Sequence, residues 1–251
     1  MLDRVTFTGA DDTTDAEALV ALLEEFPKAE AGILFGNHEG VARFPSKKWL
    51  DNLFKRCSGR TTRLSLHLCG LWVKLFLTAG RSFEWGEMLR HFSGKIERVQ
   101  LNTHGEPHVV EMSALLYNLK SCADHGVEVI FQRDGANDEI FEWARWQNLR
   151  SYAETLKLAT LFDLSHGTGK CPDRWPVPVQ GAYCGYAGGL GPDNVGACLQ
   201  QIREVVELAE AQRCSDWDTT RYWVDAETGL MSPDTHHLDL GLVRRYLQAA
   251  S

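Results

Sequence analysis

Residues 184–195 have the composition of an anion-binding loop. They read C-G-Y-A-G-G-L-G-P-D-N-V, a short apolar strand followed by Gly188-Gly189 and by Pro192 near a predicted helix start, which residue 193 or 194 can cap. Glycines let the backbone approach a ligand closely, and N–H groups at a helix N-terminus hold anions, usually phosphate. A Gly-Gly turn is also common as a plain connection, so this stretch alone leaves both interpretations open.

Hydrophobic periodicity indicates the elements that position this loop. Short apolar segments alternate with longer helical patterns, which is typical of βαβ units and a parallel sheet. Candidate strands cover about 4–9, 31–36, 63–69, 97–102, 127–133, 159–164, 180–187 and 221–226, and candidate helices cover about 15–26, 46–57, 109–125, 138–148, 194–212 and 240–249. Thr14 and Ser46 are expected to cap the first two helices, and residues 71–96 provide for two short helices around Gly80.

Length and composition favour one domain. A chain of 251 residues has the size of an eight-stranded α/β barrel, so we predict a single (β/α)8 TIM-barrel domain over residues 1–251. A net charge of −8 without a basic run argues against nucleic-acid or membrane-surface binding. Seven scattered cysteines without a C-x-x-C pair and a start that lacks signal-peptide features favour reduced thiols and a cytoplasmic protein, monomeric or homodimeric.

A ligand site in such a barrel lies at the carboxyl ends of the strands, where the sequence is rich in reactive side chains. These residues are Asn37, His38, Glu39 and Arg43 after the second strand, His67 and Cys69 at the third, Gln100, Asn102 and His104 at the fourth, Arg133 and Asp134 at the fifth, Asp163, Ser165 and His166 at the sixth, and Asp225 and Glu227 at the eighth. Several are ligand-capable types, but no tight motif such as H-x-H or H-E-x-x-H is present. We therefore assign no metal ligand and expect no cofactor.

Two further stretches lie on either side of the glycine loop in the chain. They are L-F-D-L-S-H-G-T-G-K at 161–170 and Y-W-V-D-A-E-T-G-L-M-S at 222–232. Together the three resemble the last strand and loop units of the phosphoribosylanthranilate isomerases, which have Leu-Asp before Gly-Thr-Gly, then Ala-Gly-Gly-Leu-x-Pro-x-Asn-Val, then Asp-x-x-Ser-Gly. The matching residues are Asp163, Gly167, Thr168, Gly169, Ala187, Gly188, Gly189, Leu190, Pro192, Asn194, Val195, Asp225 and Gly229. The resemblance implies a (β/α)8 barrel that performs an Amadori aldose-to-ketose rearrangement of a small anionic sugar phosphate.

The resemblance also implies roles for individual residues. Asp163 would be the general acid that protonates the ribose ring oxygen, although an Asp here also suits capping of the next loop. Arg43, in V-A-R-F-P-S, would bind a substrate carboxylate, although it comes about two residues later than in the family and also suits a surface position. The residues expected to contact substrate are Thr8, Arg43, Gln100, Asn102 and Asp225.

The phosphate group would be held mainly by backbone N–H groups of two loops. These groups belong to Gly188, Gly189, Leu190, Thr228 and Gly229. The family has Ser-Ser-Gly in the last loop, whereas this chain has E-T-G at 227–229. A carboxylate there repels phosphate unless it faces away or meets a cation.

The first strand departs from the family at its general base. The family has Lys-x-Cys-Gly, with the Cys thiolate removing the proton from C2 of the sugar, and this chain has T-F-T-G at 6–9. Thr8 holds its proton too tightly to act as that base unassisted. The remaining candidates for a base are Asp11, Cys69, His67 and Glu227; Asp11 also suits a turn, and His67 and Cys69 also suit the barrel interior.

Three hypotheses about function remain open. The first is an isomerase of the resembling type with a different general base. The second is a barrel lyase or hydrolase acting on a sugar or nucleotide, which would account for the absent Cys and the additional His and acidic residues. The third is a non-catalytic phosphosugar-binding paralogue.

Overall fold

A computed structural model of the protein describes residues 1–80, 83–92, 94–103, 108–133, 135, 137–150, 156–163, 170–211 and 221–251. The strands are β1 (Leu2–Thr8), β2 (Ala29–Phe35), β3 (Leu64–Leu68), β4 (Arg98–Leu101), β5 (Glu128–Arg133), β6 (Leu158–Asp163), β7 (Tyr183–Ala187) and β8 (Tyr222–Ala226). The helices are α1 (Ala16–Glu25), α2 (Lys47–Cys57), α3 (Leu71–Thr78), α4 (Phe83–Phe92), α5 (Met112–Asp124), α6 (Asp138–Arg150), α7 (Val195–Ala211) and α8 (Leu240–Ala249). None of these described helices is long and apolar enough to cross a membrane.

The strands form a closed parallel barrel in which each pairs with the next along the chain and β8 pairs with β1. In β1, for example, Val5 stands opposite Ala29 of β2 on one side and Val224 of β8 on the other. The prediction of a (β/α)8 barrel is therefore confirmed, and every predicted strand ends within about three residues of an observed one.

The helices are not distributed evenly among the connections. Two of them, α3 and α4, join β3 to β4, which confirms the two short helices predicted around Gly80. Between β6 and β7, the described residues 170–182 contain no helix. Trp175 of this segment is buried, and its ring meets that of Tyr186 edge to face, with centroids 6.0 Å apart. An irregular segment therefore covers the outer face of the sheet at this point.

The caps of the first two helices differ in how well the sequence predicts them. Ser46 caps α2 as predicted, because its hydroxyl accepts a hydrogen bond from the Trp49 amide at 3.2 Å. The prediction of Thr14 as the cap of α1 was wrong. Asp15 caps that helix, while the Thr14 hydroxyl accepts from the amide of Asp11 at 3.2 Å and so stabilises the preceding loop.

The lower part of the barrel interior, at the amino ends of the strands, holds a buried ion cluster. The Glu30 carboxylate, with no exposed surface, accepts from Arg98 Nε at 3.0 Å, from Arg4 at 2.7 Å and from the Thr6 hydroxyl at 3.0 Å. Burial acts to raise the pKa of Glu30, but the charges and hydrogen bonds of Arg98 and Arg4 outweigh it and lower that pKa to about 2. Glu30 is therefore charged inside the barrel, and both arginines stabilise this charged form.

The middle of the barrel is filled by the ring of Trp223. A Cβ atom added to Gly185 would lie 2.1 Å from Cε2 of this ring, so only glycine leaves room for the indole on the neighbouring strand. Ile130 and Leu161 complete this apolar layer. This apolar layer separates the ion cluster from the carboxyl ends of the strands.

The buried cluster generates a stability prediction. We expect Glu30→Gln to lower the free energy of unfolding by about 3 to 5 kcal/mol, because it removes the carboxylate that Arg98 contacts most closely in the interior and leaves Glu128, 3.8 Å away, as its remaining acidic partner among the described residues. The matched control is Glu97→Gln, which also removes a partner of Arg4 but at a half-exposed position, and should cost less than about 1 kcal/mol. Chemical denaturation of the three proteins measures both effects; equal losses in the two variants would contradict the account of the cluster.

Candidate active site

A small cavity of about 80 Å³ opens at the carboxyl ends of the strands. Its lining comes from six strands and from the loops after β7 and β8. The lining residues are His67, Gln100, Asn102, Gln132, Leu161, Asp163, Ala187, Gly188, Gly189, Leu190, Asp225, Ala226, Glu227, Thr228 and Gly229. The cavity thus brings together most of the residues that the sequence places in a site.

Two carboxyl groups flank this cavity in one row of the sheet. Asp163 of β6 stands opposite Ala187 of β7, and Ala187 stands opposite Asp225 of β8. The two aspartates are therefore separated by two strand spacings, roughly 10 Å between their Cα atoms. The small side chain of Ala187 leaves the space between them open to a ligand.

Asp225 is a buried carboxyl group of the cavity whose pKa is raised. It is 8% exposed, and its Oδ1 accepts a hydrogen bond from the Thr8 hydroxyl at 3.0 Å. Burial raises the pKa of Asp225, the nearby charges of Glu227 and Glu30 raise it further, and the Thr8 hydrogen bond only partly offsets them; the resulting pKa is about 7. Asp225 can therefore exchange a proton near neutral pH.

Asp163 is half-buried and held in a fixed orientation. The Gln132 side chain donates to Asp163 Oδ2 at 2.8 Å and accepts from the amide of Thr103 at 3.0 Å. Gln132 is a cavity-lining residue that the sequence analysis missed. The alternation along β5 contains the signal, because Gln132 shares the inward parity of Ile130, which is buried in the barrel.

Arg133 lies at the carboxyl end of β5, as predicted, but it does not line the cavity. Its guanidinium points outward and forms ion pairs with Asp138 at 2.8 Å and with Glu142 at 3.2 Å, both on α6. The residues Asn37, His38 and Glu39 do not line the cavity either. His104, Asp134, Ser165, His166 and the loop 167–169 lie outside the described residues.

A pair of carboxamides occupies the opposite wall. Gln100 donates to Asn102 Oδ1 at 2.7 Å, and Asn102 donates to the sulfur of Cys69 at 3.6 Å. Amide groups of this kind both donate and accept hydrogen bonds, so they suit the hydroxyl groups of a sugar.

His67 and Cys69 are poorly suited to act as the general base. Burial lowers the pKa of His67 to about 3, and the hydroxyl of Ser65 lies 3.0 Å from its Nε2. Burial raises the pKa of Cys69 to about 12, and the charge of Glu227 acts in the same direction. At neutral pH His67 is an uncharged imidazole of low basicity and Cys69 is a thiol, so neither provides a reactive base.

Asp11 is occupied by the surrounding loops. Its Oδ2 accepts from the Arg43 amide at 2.8 Å and lies 2.6 Å from His237 Nδ1, and its Oδ1 accepts from the Thr13 amide at 3.0 Å. Burial acts to raise the pKa of Asp11, but these hydrogen bonds outweigh it and lower the pKa. Asp11 does not line the cavity, and it joins the loops after β1, β2 and β8.

Glu227 meets a cation at the rim of the cavity. Its carboxylate forms an ion pair with Arg43 at 2.6 Å, and both side chains are partly exposed. The contact joins the loop after β2 to the loop after β8. A substrate carboxylate that used Arg43 would have to compete with Glu227 for the guanidinium.

The two glycine loops meet at the other side of the rim. Gly188 and Gly189 have φ values of 128° and 62°, and a Cβ atom on Gly229 would lie 2.3 Å from the Leu190 carbonyl oxygen. Among the described residues, the amides of Gly189 and Gly229 donate no hydrogen bond to protein. The Leu190 side chain is buried, so this residue presents only its backbone at the rim, whereas the Thr228 side chain is exposed.

A metal centre receives no support from the described part of the chain. No group of three or more His, Cys, Asp or Glu side chains there is arranged to hold a metal ion.

Comparisons with known proteins identify the fold. No protein-family model and no curated protein matches the chain. The spore coat polysaccharide biosynthesis protein of Bacillus subtilis matches with a TM-score of 0.53 at 10% identity, over 98% of this chain and 67% of that one. Octameric ribulose-1,5-bisphosphate carboxylase/oxygenase of Pyrococcus horikoshii matches with a TM-score of 0.47 at 14% identity, over 99% of this chain and 56% of that one. At such low identity the likeness to the Bacillus protein is one of fold, and it agrees with the closed barrel.

Proposed function

We propose that this chain is an acid–base enzyme that isomerises an aldose-type sugar derivative at the carboxyl end of its barrel. One observation carries the proposal: two carboxyl groups, Asp163 and Asp225, flank a polar cavity in one row of the sheet, and the pKa of Asp225 is raised to about 7. An aldose–ketose rearrangement needs one group that removes a proton from carbon and one that protonates the ring oxygen.

Asp225 is the general base in this proposal. Thr8 stands where the resembling family has its thiolate, and the Thr8 hydroxyl donates to Asp225, so the Asp225 carboxylate reaches the position of the missing base. A base with a pKa near the working pH combines a useful ionised fraction with high basicity. Asp163 then acts as the general acid, as the resemblance implies, with Gln132 fixing its orientation.

The rest of the cavity supports a hydroxylated substrate with an anionic group. Gln100 and Asn102 offer donors and acceptors to sugar hydroxyls. The amides of Gly189 and Gly229 offer a phosphate cradle near the start of α7. The pairing of Glu227 with Arg43 reduces the repulsion that a phosphate would otherwise meet.

A lyase or hydrolase acting on an uncharged sugar is the second candidate. It is favoured by the charge of the cavity, whose described lining contains Asp163, Asp225 and Glu227 and no lysine or arginine. Such a site suits a neutral ligand better than an anionic one unless the glycine amides dominate the binding.

The activity prediction uses phosphoribosylanthranilate, whose fluorescence is lost on isomerisation. We expect Asp225→Asn and Asp163→Asn each to lower kcat by about 10²- to 10⁴-fold, because each removes one proton-transfer group. Asp124→Asn, at an exposed position at the end of α5, is the control and should leave the rate unchanged. A wild-type protein that does not consume this substrate would rule out the activity of the resembling family, and neutral aryl glycosides would then test the second candidate.

The pH dependence of the rate distinguishes a base from an acid at Asp225. If Asp225 must be ionised to react, kcat/KM should rise with pH and level off above a midpoint near the pKa of about 7. The profile of wild type is the measurement. A rate that instead falls through the same range would assign Asp225 as the proton donor and reverse the two roles.

The raised pKa of Asp225 also predicts a pH-dependent change in the free energy of unfolding, which can be measured without a substrate. Its folded-state pKa of about 7 lies above the ordinary value of 3.8, so its contribution to stability is fully present below about pH 3.8 and is lost as the pH rises through 7. The carboxamide that Asp225→Asn introduces keeps an acceptor for the Thr8 hydroxyl without this titration. We expect wild type to lose about 3 kcal/mol of unfolding free energy relative to the variant between about pH 5 and pH 8.

Denaturant unfolding of both proteins at several pH values measures this difference. Two parallel stability profiles would show that Asp225 is not buried as described.

A further inference from the structure

Two cysteine thiols lie side by side next to the glycine loop. Cys171, in the irregular segment 170–182, is exposed, and Cys198, in the first turn of α7, is 7% exposed. Their sulfur atoms are 3.6 Å apart although the residues are 27 positions apart in the chain. A disulfide requires a sulfur–sulfur distance of about 2.05 Å, so a small movement would join them.

The surroundings of Cys171 suit a reactive thiol. The Asn194 side chain donates to its sulfur at 3.3 Å, and the site lies at the N-terminal end of α7. Burial and the neighbouring Cys171 raise the pKa of Cys198 to about 12, so Cys198 remains a thiol until a partner reaches it. Cys171 is therefore the sulfur that an oxidant meets first.

We propose that Cys171 and Cys198 form a reversible disulfide when the protein meets hydrogen peroxide. The Cys171 thiolate attacks the peroxide, breaks its O–O bond and becomes a sulfenic acid, while the departing hydroxide takes up the proton that the thiol released and forms water. The Cys198 sulfur then attacks the Cys171 sulfur, an S–S bond forms, the S–O bond breaks, and the sulfenic hydroxyl leaves as a second water with the proton of Cys198. A dithiol reductant reverses the reaction.

The disulfide would change the hydrogen bonds of the glycine loop. In the reduced protein the Cys171 thiol donates to the Gly189 carbonyl oxygen at 3.5 Å, and the Asn194 side chain donates to the same oxygen at 2.8 Å. Oxidation removes the thiol donor from Gly189 and fixes the segment 170–182 to α7. The disulfide itself is independent of the proposed isomerisation, and only an effect on phosphate affinity rests on that proposal.

Intact-mass measurement of the full chain after brief exposure to hydrogen peroxide tests the disulfide. We expect wild type to lose about 2 Da, to yield one cross-linked peptide pair containing Cys171 and Cys198, and to recover its mass with dithiothreitol. Cys171→Ser, an exposed substitution, and Cys198→Ala should both abolish the loss, and circular dichroism before oxidation shows whether each is folded. A Cys171→Ser variant that still loses the same mass would overturn the proposal.

Cys214→Ser is the matched control, because Cys214 is the cysteine that lies outside the described residues. This variant should retain the cross-link in full. Loss of the cross-link in Cys214→Ser with its retention in Cys198→Ala would assign the bond to a different pair and contradict the proposal.

A second measurement separates the disulfide from the proposed function. Thermal unfolding in the presence of inorganic phosphate reports binding at the glycine loop, and we expect the stabilisation by phosphate to differ between the reduced and oxidised proteins. If the cross-link forms but phosphate stabilises neither protein, the phosphate cradle is wrong and the disulfide stands.

Discussion

Water is excluded from the interior of the closed ring of eight parallel strands, and this limits the positions at which the protein can hold a charged side chain. Every second residue of each strand points into an interior in which an unpaired polar group is costly. Glu30 is accommodated by two arginines and stays ionised, whereas Asp225 receives one hydroxyl and keeps its proton until about pH 7. The same constraint therefore produces a structural ion cluster at one end of the barrel and a titrating carboxyl at the other.

The alternation along the strands made much of the barrel predictable from the sequence, and it also explains the errors. Apolar periodicity located all eight strands, and the length of residues 71–96 indicated the two helices around Gly80. The parity of β5 separates Gln132, which faces the cavity, from Arg133, which pairs with α6, but a one-residue shift in the assumed register exchanges them. The irregular connection before β7 has no periodic signal that a helix-based analysis would detect.

Other features of the site depend on contacts between distant parts of the chain. Thr8 and Asp225 are 217 positions apart, and Arg43 and Glu227 are 184 apart, so no local pattern indicates either pair. The resemblance drew attention to Thr8 as a missing base and to Glu227 as a misplaced charge. The structure gives each a partner: Thr8 contacts the carboxyl with a raised pKa, and Glu227 meets a guanidinium. Each of these two residues is therefore paired with a residue from a distant part of the chain.

The loops at the rim hold the backbone of Arg43 beside its ion-pair partner Glu227. Arg43 has a φ of 71°, a left-handed conformation that costs a non-glycine residue roughly 1 kcal/mol or more. It persists because the Arg43 amide donates to the carboxylate of Asp11, which is also held by His237 from the loop after β8. Three loops therefore converge on Asp11, and this carboxylate fixes the guanidinium beside Glu227. A preorganised charge needs little rearrangement when a ligand binds. The strained backbone of Arg43 is therefore a consequence of holding the cavity rim in one geometry.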